Sequence, residues 1–380
     1  MSPTYLQGTA AVVYTLLSVL TVGGNALVCL TVFHYMGFAT VTNLFIANLA
    51  LTDFFIGIFC IPIVLISDFL LSDWPFGLLM CKLTSFAQSV FVVCTVYTLI
   101  AMSVDRYIAI IHPLQPKLTR KQCYVFIGAL WTFALTFSSP IFVEMRIRHT
   151  CFHRDSNYLV EYTQTVCQSD GLPGLLQTIY NIATMTVIYL IPLVVLSVIY
   201  VRLGYQLNRS RAPGEAHSER DAKIKKSKQK VIKMCFVVVI MFGVCWFPMQ
   251  LYTNILRPHL DQIFDRKYVP HFYFAFHLMA MSNACVNPFI YAVMSSKFRA
   301  GYLHYWHCLC SRCGPPFQDC LGHKDNLENG IIYTASFRRD KNSLNSNVPK
   351  HQHRNNTRAS ALSIPSMTPL MSFPRNSSYE

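Results

Sequence analysis

Two carboxylates stand in stretches of the chain that are otherwise apolar, and they are the first places where chemistry is expected. Asp105 and Arg106 follow directly on the apolar run Phe91–Met102. An ionisable residue inside or at the edge of hydrocarbon costs roughly 2.5–3.5 kcal/mol, so the pair is interpreted either as a functional element or as charges reaching the membrane surface. Asp53 lies in the middle of another apolar run, where a carboxylate must take up a proton or be surrounded by polar groups or a cation.

Cysteines supply a third chemistry. Cys81 begins an apolar run, and the segment after the next run contains Cys151 and Cys167. If these residues face an oxidising compartment, disulfides persist there, but only one of the two can pair with Cys81. We favour Cys167, which lies closer to the following run, and leave Cys151 reduced or used elsewhere; sequence alone does not decide the connectivity.

The elements that must position these residues are apolar helices. Hydrophobic residues make up 53% of the 380-residue chain and charged residues 13%, which is typical of a polytopic membrane protein. Seven runs are long enough to cross roughly 30 Å of hydrocarbon: Thr9–Tyr35, Val41–Leu70, Leu78–Ile111, Gln122–Met145, Leu175–Leu207, Val231–Leu256 and Tyr268–Ser295. Several runs contain Gly, Pro or polar residues, and their backbone and polar groups need hydrogen-bond partners inside the membrane. Neighbouring helices must supply those partners. The sequence predicts an all-α membrane protein, a seven-transmembrane helix bundle.

The net charge of +14 indicates topology rather than nucleic-acid binding, because the basic residues concentrate between the fifth and sixth runs and after the seventh. By the positive-inside rule these segments are cytoplasmic and the N-terminus is extracellular. The predicted parts are a short extracellular segment over residues 1–8, the bundle over 9–295, an amphipathic helix with a cysteine cluster over 296–313 and a disordered cytoplasmic tail over 314–380.

The cysteine cluster follows the amphipathic helix Ser296–Cys310. Cys308, Cys310 and Cys313 are predicted to carry palmitate, since cytosolic cysteines beside a membrane are often acylated. Zinc is the alternative, but the spacing matches no paired Cys-x-x-Cys site.

The motifs on successive runs, taken together, resemble the rhodopsin-like G protein-coupled receptors over roughly residues 9–313. They are Asn25, Leu49 with Asp53, Cys81, Asp105-Arg106-Tyr107, Trp131, Pro192 with Tyr200, Cys245-Trp246-Phe247-Pro248 and Asn287-Pro288-Phe289-Ile290-Tyr291. The resemblance implies a plasma-membrane receptor that couples to heterotrimeric G proteins when helix six moves outward. It further implies binding of a receptor kinase and arrestin through a phosphorylated tail.

The resemblance also assigns roles to individual residues. The residues implied to form the G-protein switch are Asp105, Arg106, Tyr107, Tyr200 and Tyr291. Those implied to form the activation pivot are Phe242, Trp246, Pro248, Asn287 and Pro288. Those implied to surround an allosteric sodium ion are Asp53, Thr95, Asn283 and Asn287. The chain departs from many family members at Lys228, where they carry an acid that holds the Arg of the triplet, so Asp105 is the obvious charged partner left for Arg106.

The ligand class is read from two positions. Gln88 stands where aminergic receptors carry Asp, and Met281 where opsins carry the retinal Lys, so neither a bound amine nor a Schiff base is expected. Gln88 with His277 resembles the neuropeptide Y, RFamide and orexin group, which implies an extracellular peptide. Each residue has an alternative reading as ordinary packing, and a non-peptide ligand remains open.

The position of an acidic partner for the peptide is also open. Relatives in this group carry an acid near the outer end of span six, where this chain has Arg257. Five acids could substitute, and the sequence does not choose among them: Asp68, Glu161, Asp170, Asp261 and Asp265.

A seven-span transporter or channel is the competing class, supported only by the carboxylate of Asp53 inside the membrane. Transporters are commonly built from internal repeats with broken helices in matching positions, and no such repeat is found. Enzyme motifs such as His-Glu-x-x-His and Gly-x-Ser-x-Gly are not found either. The sequence therefore predicts a receptor rather than an enzyme.

Overall fold

The computed structural model of the chain describes residues 4–37, 40–112, 114–116, 118–152, 162–169, 171–209, 219–256 and 269–310. The helices are α1 Thr4–Leu30, α2 Val41–Phe55, α3 Ile61–Val64, α4 Gly77–Ile111, α5 Arg120–Ser138, α6 Ile141–Glu144, α7 Gly174–Met185, α8 Ile191–Arg209, α9 Glu219–Leu251, α10 Val269–Met294 and α11 Ser296–Cys310. The π-helical segments are Thr31–Met36, Ile56–Cys60, Leu65–Leu71, Thr186–Leu190 and Tyr252–Leu256, and the strands are β1 Met145–Phe152 and β2 Tyr162–Ser169.

These helices form the predicted multi-pass bundle. Six are long and apolar enough to cross a membrane, and the seventh crossing is the helix His271–Met294, which meets the segment Ser296–His307 at an angle of 104°. We call the crossings spans one to seven, and each includes the π-helical segments that adjoin its helices. In order the spans contain α1, α2 with α3, α4, α5 with α6, α7 with α8, α9 and α10. The segment after the bend is the predicted amphipathic helix, and the predicted tail over 314–380 lies outside the described residues.

Span one begins earlier than the sequence indicated. Its helix starts at Thr4, within the segment 1–8 that was assigned to the N-terminus. Leu6 is 4% exposed and Ala10 is fully buried, so packing against the bundle extends the helix beyond the end of the apolar run.

Two spans begin at capping residues. The Thr40 hydroxyl accepts a hydrogen bond from the Asn43 backbone N–H at 3.2 Å, and Thr119 forms a capping box with Gln122. Each cap satisfies backbone donors that the first turn of a helix leaves without partners.

The distribution of polar and apolar side chains fits a bilayer. Val125 is 72% exposed and Val194 is 63% exposed, whereas Asn25 and Asp53 are fully buried. Apolar groups on the outside and polar groups between the helices are expected where the surrounding solvent is hydrocarbon.

The prolines leave backbone carbonyls free, and neighbouring spans supply their partners. Pro288 has no N–H for the Ala284 carbonyl four residues before it. The Asn25 side-chain amide of span one donates to that carbonyl at 2.9 Å. A Cβ on Gly24 would lie 2.9 Å from the Pro288 ring, so the absence of a side chain there permits the close approach of spans one and seven.

Widened π-helical turns mark two other prolines. Ile56–Cys60 precedes Pro62, and Thr186–Leu190 precedes Pro192. The Gly57 carbonyl in the first of these segments accepts the Ser18 hydroxyl of span one at 2.8 Å. A hydrogen bond between spans thus accompanies this widened turn.

A β-hairpin lies between spans four and five, in a region that the sequence analysis treated as a loop. Its strands pair antiparallel with Ile147 opposite Cys167 and Cys151 opposite Thr163. Short strands of this kind carry weak sequence signals, because pairing with a partner strand rather than local preference selects them. We call this end of the bundle the hairpin end and the opposite end, which carries Arg106 and α11, the tail end.

Candidate functional site

The centre of the bundle is polar around Asp53. This residue is fully buried, and its Oδ2 accepts a hydrogen bond from the Asn287 side-chain amide at 2.7 Å. Within the described residues, three oxygens here have no hydrogen-bond partner: Asp53 Oδ1, Asn283 Oδ1 and Asn287 Oδ1. Buried acceptors without partners are costly, so this is a place where an ion or water molecules would find ligands.

A small cavity of about 10 Å³ lies at this polar centre. Asp53, Thr95 and Asn283 line it, and Trp246 closes it on another side. The volume is near the minimum for one water molecule or a small ion. Oxygen atoms from one carboxylate and neutral side chains suit a hard cation of low charge, so the residues fit the sodium ion that the resemblance implied.

The four residues that the resemblance assigned to a sodium ion are brought together, with one difference from what was expected. Thr95 does not bond to Asp53; its hydroxyl lies 3.0 Å from the Thr52 hydroxyl. Thr52 is fully buried and was not singled out from the sequence. Its position next to Asp53 in the chain gave no signal, because neighbouring residues of a helix point in different directions.

Arg106 lies at the tail end and is held by two spans. Its Nε donates to Asp105 Oδ2 at 3.1 Å, and its Nη2 donates to the same oxygen at 2.5 Å. Nη2 also donates to the hydroxyl of Thr42 in span two. Thr42 is a partner that the sequence analysis missed, since only charged partners were considered. The side chain of Lys228 lies outside the described residues.

The tyrosines assigned to the switch occupy separate contacts. The hydroxyls of Tyr200 and Ser103 are 3.0 Å apart, which joins spans five and three. Tyr291 is 1% exposed, its ring stacks on Phe298 of α11 with centroids 5.2 Å apart, and its hydroxyl has no partner in the part of the chain that is described.

Tyr107 belongs to neither of these contacts. It lies beside His112, with a ring separation of 6.2 Å. The five residues of the predicted switch therefore lie at one end of the bundle without forming a single hydrogen-bonded cluster.

The residues assigned to the pivot link the polar centre to span five. Phe242 is 1% exposed and lies 6.2 Å from Trp246 and 6.4 Å from Tyr189, measured between ring centroids. The Tyr189 hydroxyl donates to the Gly243 carbonyl at 3.0 Å, in the turn before Pro248. A displacement of Trp246 would therefore change both the lining of the cavity and the packing near Pro248 of span six.

The two residues assigned to ligand binding differ in accessibility. His277 is 3% exposed, and its Nδ1 lies 2.7 Å from the Tyr14 hydroxyl of span one. This geometry matches the packing alternative for His277. Gln88 is half-buried on span three, and no contact joins it to His277 among the described residues.

Aromatic rings surround His277 and form what we call the aromatic wall: Tyr14, Phe69, Tyr273, Phe274 and His277. The wall joins spans one, two and seven. At its edge the Tyr273 hydroxyl donates to Asp68 Oδ2 at 2.9 Å. Asp68 is one of the five acids that the sequence could not separate, and Glu161, Asp170, Asp261 and Asp265 lie outside the described residues.

The hairpin is attached to the bundle by a disulfide between Cys81 and Cys167, which confirms the predicted pairing. Further bonds join β2 to the turn after span two. Asp73 Oδ1 accepts the Thr165 N–H at 2.6 Å, and the Trp74 N–H donates to the Thr165 carbonyl at 2.9 Å. The hairpin is therefore fixed over one end of the bundle.

At the tail end, α11 is anchored to span one. The Tyr305 hydroxyl donates to the Leu30 carbonyl at 3.1 Å, where α1 widens into its π-helical turn. The predicted palmitoylation sites remain predictions: Cys308 and Cys310 lie in α11 with side chains outside the described residues, and Cys313 lies beyond them.

Comparison with known proteins agrees with this arrangement. The family described as "7 transmembrane receptor (rhodopsin family)" matches residues 24–291. The chain belongs to this receptor family. The receptor's match includes the polar centre, Arg106 and the disulfide cysteines, and it places the protein among receptors rather than among transporters or enzymes.

Several curated receptors are similar along most of the chain. The RYamide receptor of Drosophila melanogaster is 34% identical over 306 residues, which are 80% of this chain and 65% of that receptor. The neuropeptide FF receptor 2 of Rattus norvegicus is 34% identical over 322 residues, 83% of this chain and 76% of that protein. The tachykinin-like peptides receptor 86C of Drosophila melanogaster is 33% identical over 306 residues, 79% of this chain and 59% of that protein. The chain thus spans about two thirds of the first of these relatives.

Proposed function

We propose that the protein is a plasma-membrane receptor that is activated by an extracellular peptide and signals through heterotrimeric G proteins. The observation that carries the proposal is the similarity across the bundle to receptors whose names refer to RYamide, neuropeptide FF and tachykinin-like peptides. The N-terminus and the hairpin end face the outside, and the tail end faces the cytoplasm.

The outer site accepts the peptide between the hairpin and the aromatic wall. Gln88 offers an amide that can donate and accept hydrogen bonds. His277, bonded to Tyr14, acts through the position of the wall. A small, non-peptide ligand is the alternative for the same opening.

Activation is proposed to proceed through Trp246 and span six. Peptide contacts at the outer site shift Trp246, and the tail end of span six moves outward around Pro248. Arg106 then leaves Thr42 and Asp105 and meets the G protein. Such a mechanism needs only two arrangements of the bundle whose equilibrium the ligand biases.

Other partners follow from the family. A sodium ion at Asp53 favours the resting arrangement, and palmitate on Cys308, Cys310 and Cys313 ties α11 to the bilayer. Phosphorylation of the tail by a receptor kinase creates negative charge for arrestin.

The test uses synthetic peptides on cells that express the receptor at a measured surface density. The panel contains amidated peptides that end in Arg-Tyr-amide, the residues that the letters of the RYamide name spell, together with RFamide-type and tachykinin-type sequences. A saturable second-messenger response that is absent from mock-transfected cells supports the proposal.

Two further variants make the test sharper. Arg106→Ala should abolish the second-messenger response while surface binding of a labelled active peptide is retained. Free-acid and scrambled forms of the active peptide serve as ligand controls. A receptor that responds to no member of the panel but responds to an amine or lipid mediator would contradict the peptide assignment.

A further inference from the structure

The carboxylate of Asp68 has an unusual position for an acid in a membrane span. It lies in the π-helical segment Leu65–Leu71 at the hairpin end of span two, and the residue is exposed. Oδ1 accepts the Ser67 hydroxyl at 2.7 Å, and Oδ2 accepts the Tyr273 hydroxyl at 2.9 Å. Two neutral donors orient the carboxylate but do not neutralise its charge.

Within the part of the chain that the structure describes, no cation pairs with Asp68. Among the described residues, the ion pair within 4.0 Å is the one between Arg106 and Asp105 at the other end of the bundle. The other described acids of the hairpin end are engaged differently. Asp73 accepts the Thr165 N–H, and the buried Glu144 accepts the side chains of Ser169 and Gln177. Of the described acids at this end, Asp68 is therefore the exposed one that is left to attract a cation.

The surroundings of Asp68 select the kind of cation. Tyr273, its hydroxyl donor, is part of the aromatic wall and lies 6.1 Å from Phe69, nearly parallel to it. A guanidinium group stacks on aromatic faces while it donates to a carboxylate, whereas an ammonium group is a strongly hydrated point charge. A carboxylate beside aromatic rings therefore favours arginine over lysine.

We propose that Asp68 binds the guanidinium group of an arginine in the peptide ligand; this inference rests on the proposed function. It selects one of the five acids that the sequence left open as partners for the peptide. The carboxylate has free lone pairs for the guanidinium N–H groups besides those used by Ser67 and Tyr273.

The same contact reaches span six. The ring of Tyr273 lies 6.0 Å from that of Tyr252 in the π-helical segment that continues α9, and 5.5 Å from His277. A guanidinium on Asp68 shares the carboxylate with the Tyr273 hydroxyl and packs against the Tyr273 ring. Tyr273 then shifts against Tyr252, so occupancy at span two is transmitted to the span that moves on activation.

The experiment compares two peptides on two receptors. An active peptide ending in Arg-Tyr-amide is paired with its citrulline analogue, which keeps the shape of arginine and lacks the charge. On the wild type, citrulline should reduce potency about 10- to 100-fold, because a charge-assisted contact is lost. On Asp68→Asn, the potency of the arginine peptide should fall by about the same factor relative to the wild type. The potency of the citrulline peptide should fall little below its value on the wild type.

Tyr273→Phe and Asp68→Glu are the matched variants. Tyr273→Phe removes the hydroxyl and keeps the ring and the Asp68 charge, so it should retain the preference for arginine over citrulline. Asp68→Glu should restore part of that preference. The inference is overturned if the wild type and Asp68→Asn discriminate equally between the arginine and citrulline peptides, or if the wild type does not discriminate between them. Either result leaves the peptide receptor assignment intact.

A binding measurement separates the inference from the proposed function. The purified receptor is heated with N-acetyl-Arg-Tyr-amide or its citrulline analogue, and thermal stabilisation is recorded without any signalling step. If the arginine compound stabilises the wild type, the citrulline analogue does not, and Asp68→Asn loses the effect, the result supports the site even if no peptide elicits a cellular response. Absence of stabilisation at millimolar concentration, together with no citrulline effect in cells, rejects it.

Discussion

At the scale of single residues, Arg106 is held by partners on its own span and on span two. Asp105 and Thr42 both accept hydrogen bonds from its guanidinium group. Asp105 is its neighbour in the chain and moves with it, so among the described contacts it is Thr42 that ties Arg106 to another span. The hydroxyl of Thr42 therefore has the larger influence on where Arg106 rests.

Replacement of Thr42 by Val should raise agonist-independent signalling. The change removes one acceptor of a charge-assisted hydrogen bond at a partly exposed position, worth about 1 kcal/mol, or roughly fivefold in the ratio of active to inactive receptor. Basal second-messenger output is measured at matched surface expression. Thr42→Ser keeps the hydroxyl and should behave as the wild type; equal basal output in all three receptors would show that this contact is without effect.

Asp53 carries the second prediction at this scale. Its Oδ1 and the side-chain oxygens of Asn283 and Asn287 have no hydrogen-bond partner among the described residues, and the proposed sodium ion would bind there and favour the resting arrangement. Exchange of sodium chloride for choline chloride should raise agonist affinity in the wild type, by a factor of several. Asp53→Asn should remove this difference, whereas Asp73→Asn, a change of the same kind outside the cavity, should preserve it. A wild type that is indifferent to sodium would refute the site.

At the scale of elements, spans one and seven are joined at a proline. Asn25 occupies the carbonyl that Pro288 leaves free, and Gly24 allows the two helices to approach. Neither feature would be useful without the other, because a larger side chain at position 24 would move Asn25 away from Ala284. The contact fixes the part of span seven that also carries Asn283 and Asn287.

Gly24→Ala should destabilise the receptor, and its neighbour provides the control. The new Cβ would lie 2.9 Å from the Pro288 ring, and overpacking of this kind costs about 1–3 kcal/mol, against a gain of up to about 1 kcal/mol in helix preference. A Cβ at Gly23 would meet no atom within 4 Å, so Gly23→Ala should be neutral or stabilising. The apparent melting temperature of the detergent-solubilised protein distinguishes them; an equal response to both substitutions would contradict this packing account.

At the scale of the whole molecule, the disulfide between Cys81 and Cys167 connects the hairpin to span three. Its loss should affect both the stability of the receptor and the position of the hairpin. The effect on signalling should therefore exceed what reduced expression explains.

Cys167→Ser should lower thermal stability by about 2–4 kcal/mol and reduce peptide potency at matched surface density. Cys151→Ser alters the other cysteine of the hairpin and should leave potency close to that of the wild type. Peptide mapping of the wild type under non-reducing conditions should recover a Cys81–Cys167 fragment. Recovery of Cys81 bonded mainly to Cys151 would invalidate the pairing.

The sequence by itself determined the class of protein and singled out the charged residues in its apolar runs. A bilayer admits few solutions for a backbone that must satisfy its own hydrogen bonds, so seven long apolar runs sufficed to predict a helix bundle. Asp53 and Arg106 could be recognised from the sequence because a charge in an apolar run is costly unless polar groups or an opposite charge surround it.

Only the tertiary structure decided which groups meet. Thr42 contacts Arg106 across 64 positions of the chain, and Tyr273 contacts Asp68 across 205. Threonine and tyrosine are common in membrane helices, so neither residue carried a signal of its own. The hairpin and the role of His277 in the aromatic wall likewise depend on packing between distant segments, because contacts of this kind are set by how helices rotate and approach one another rather than by local preference.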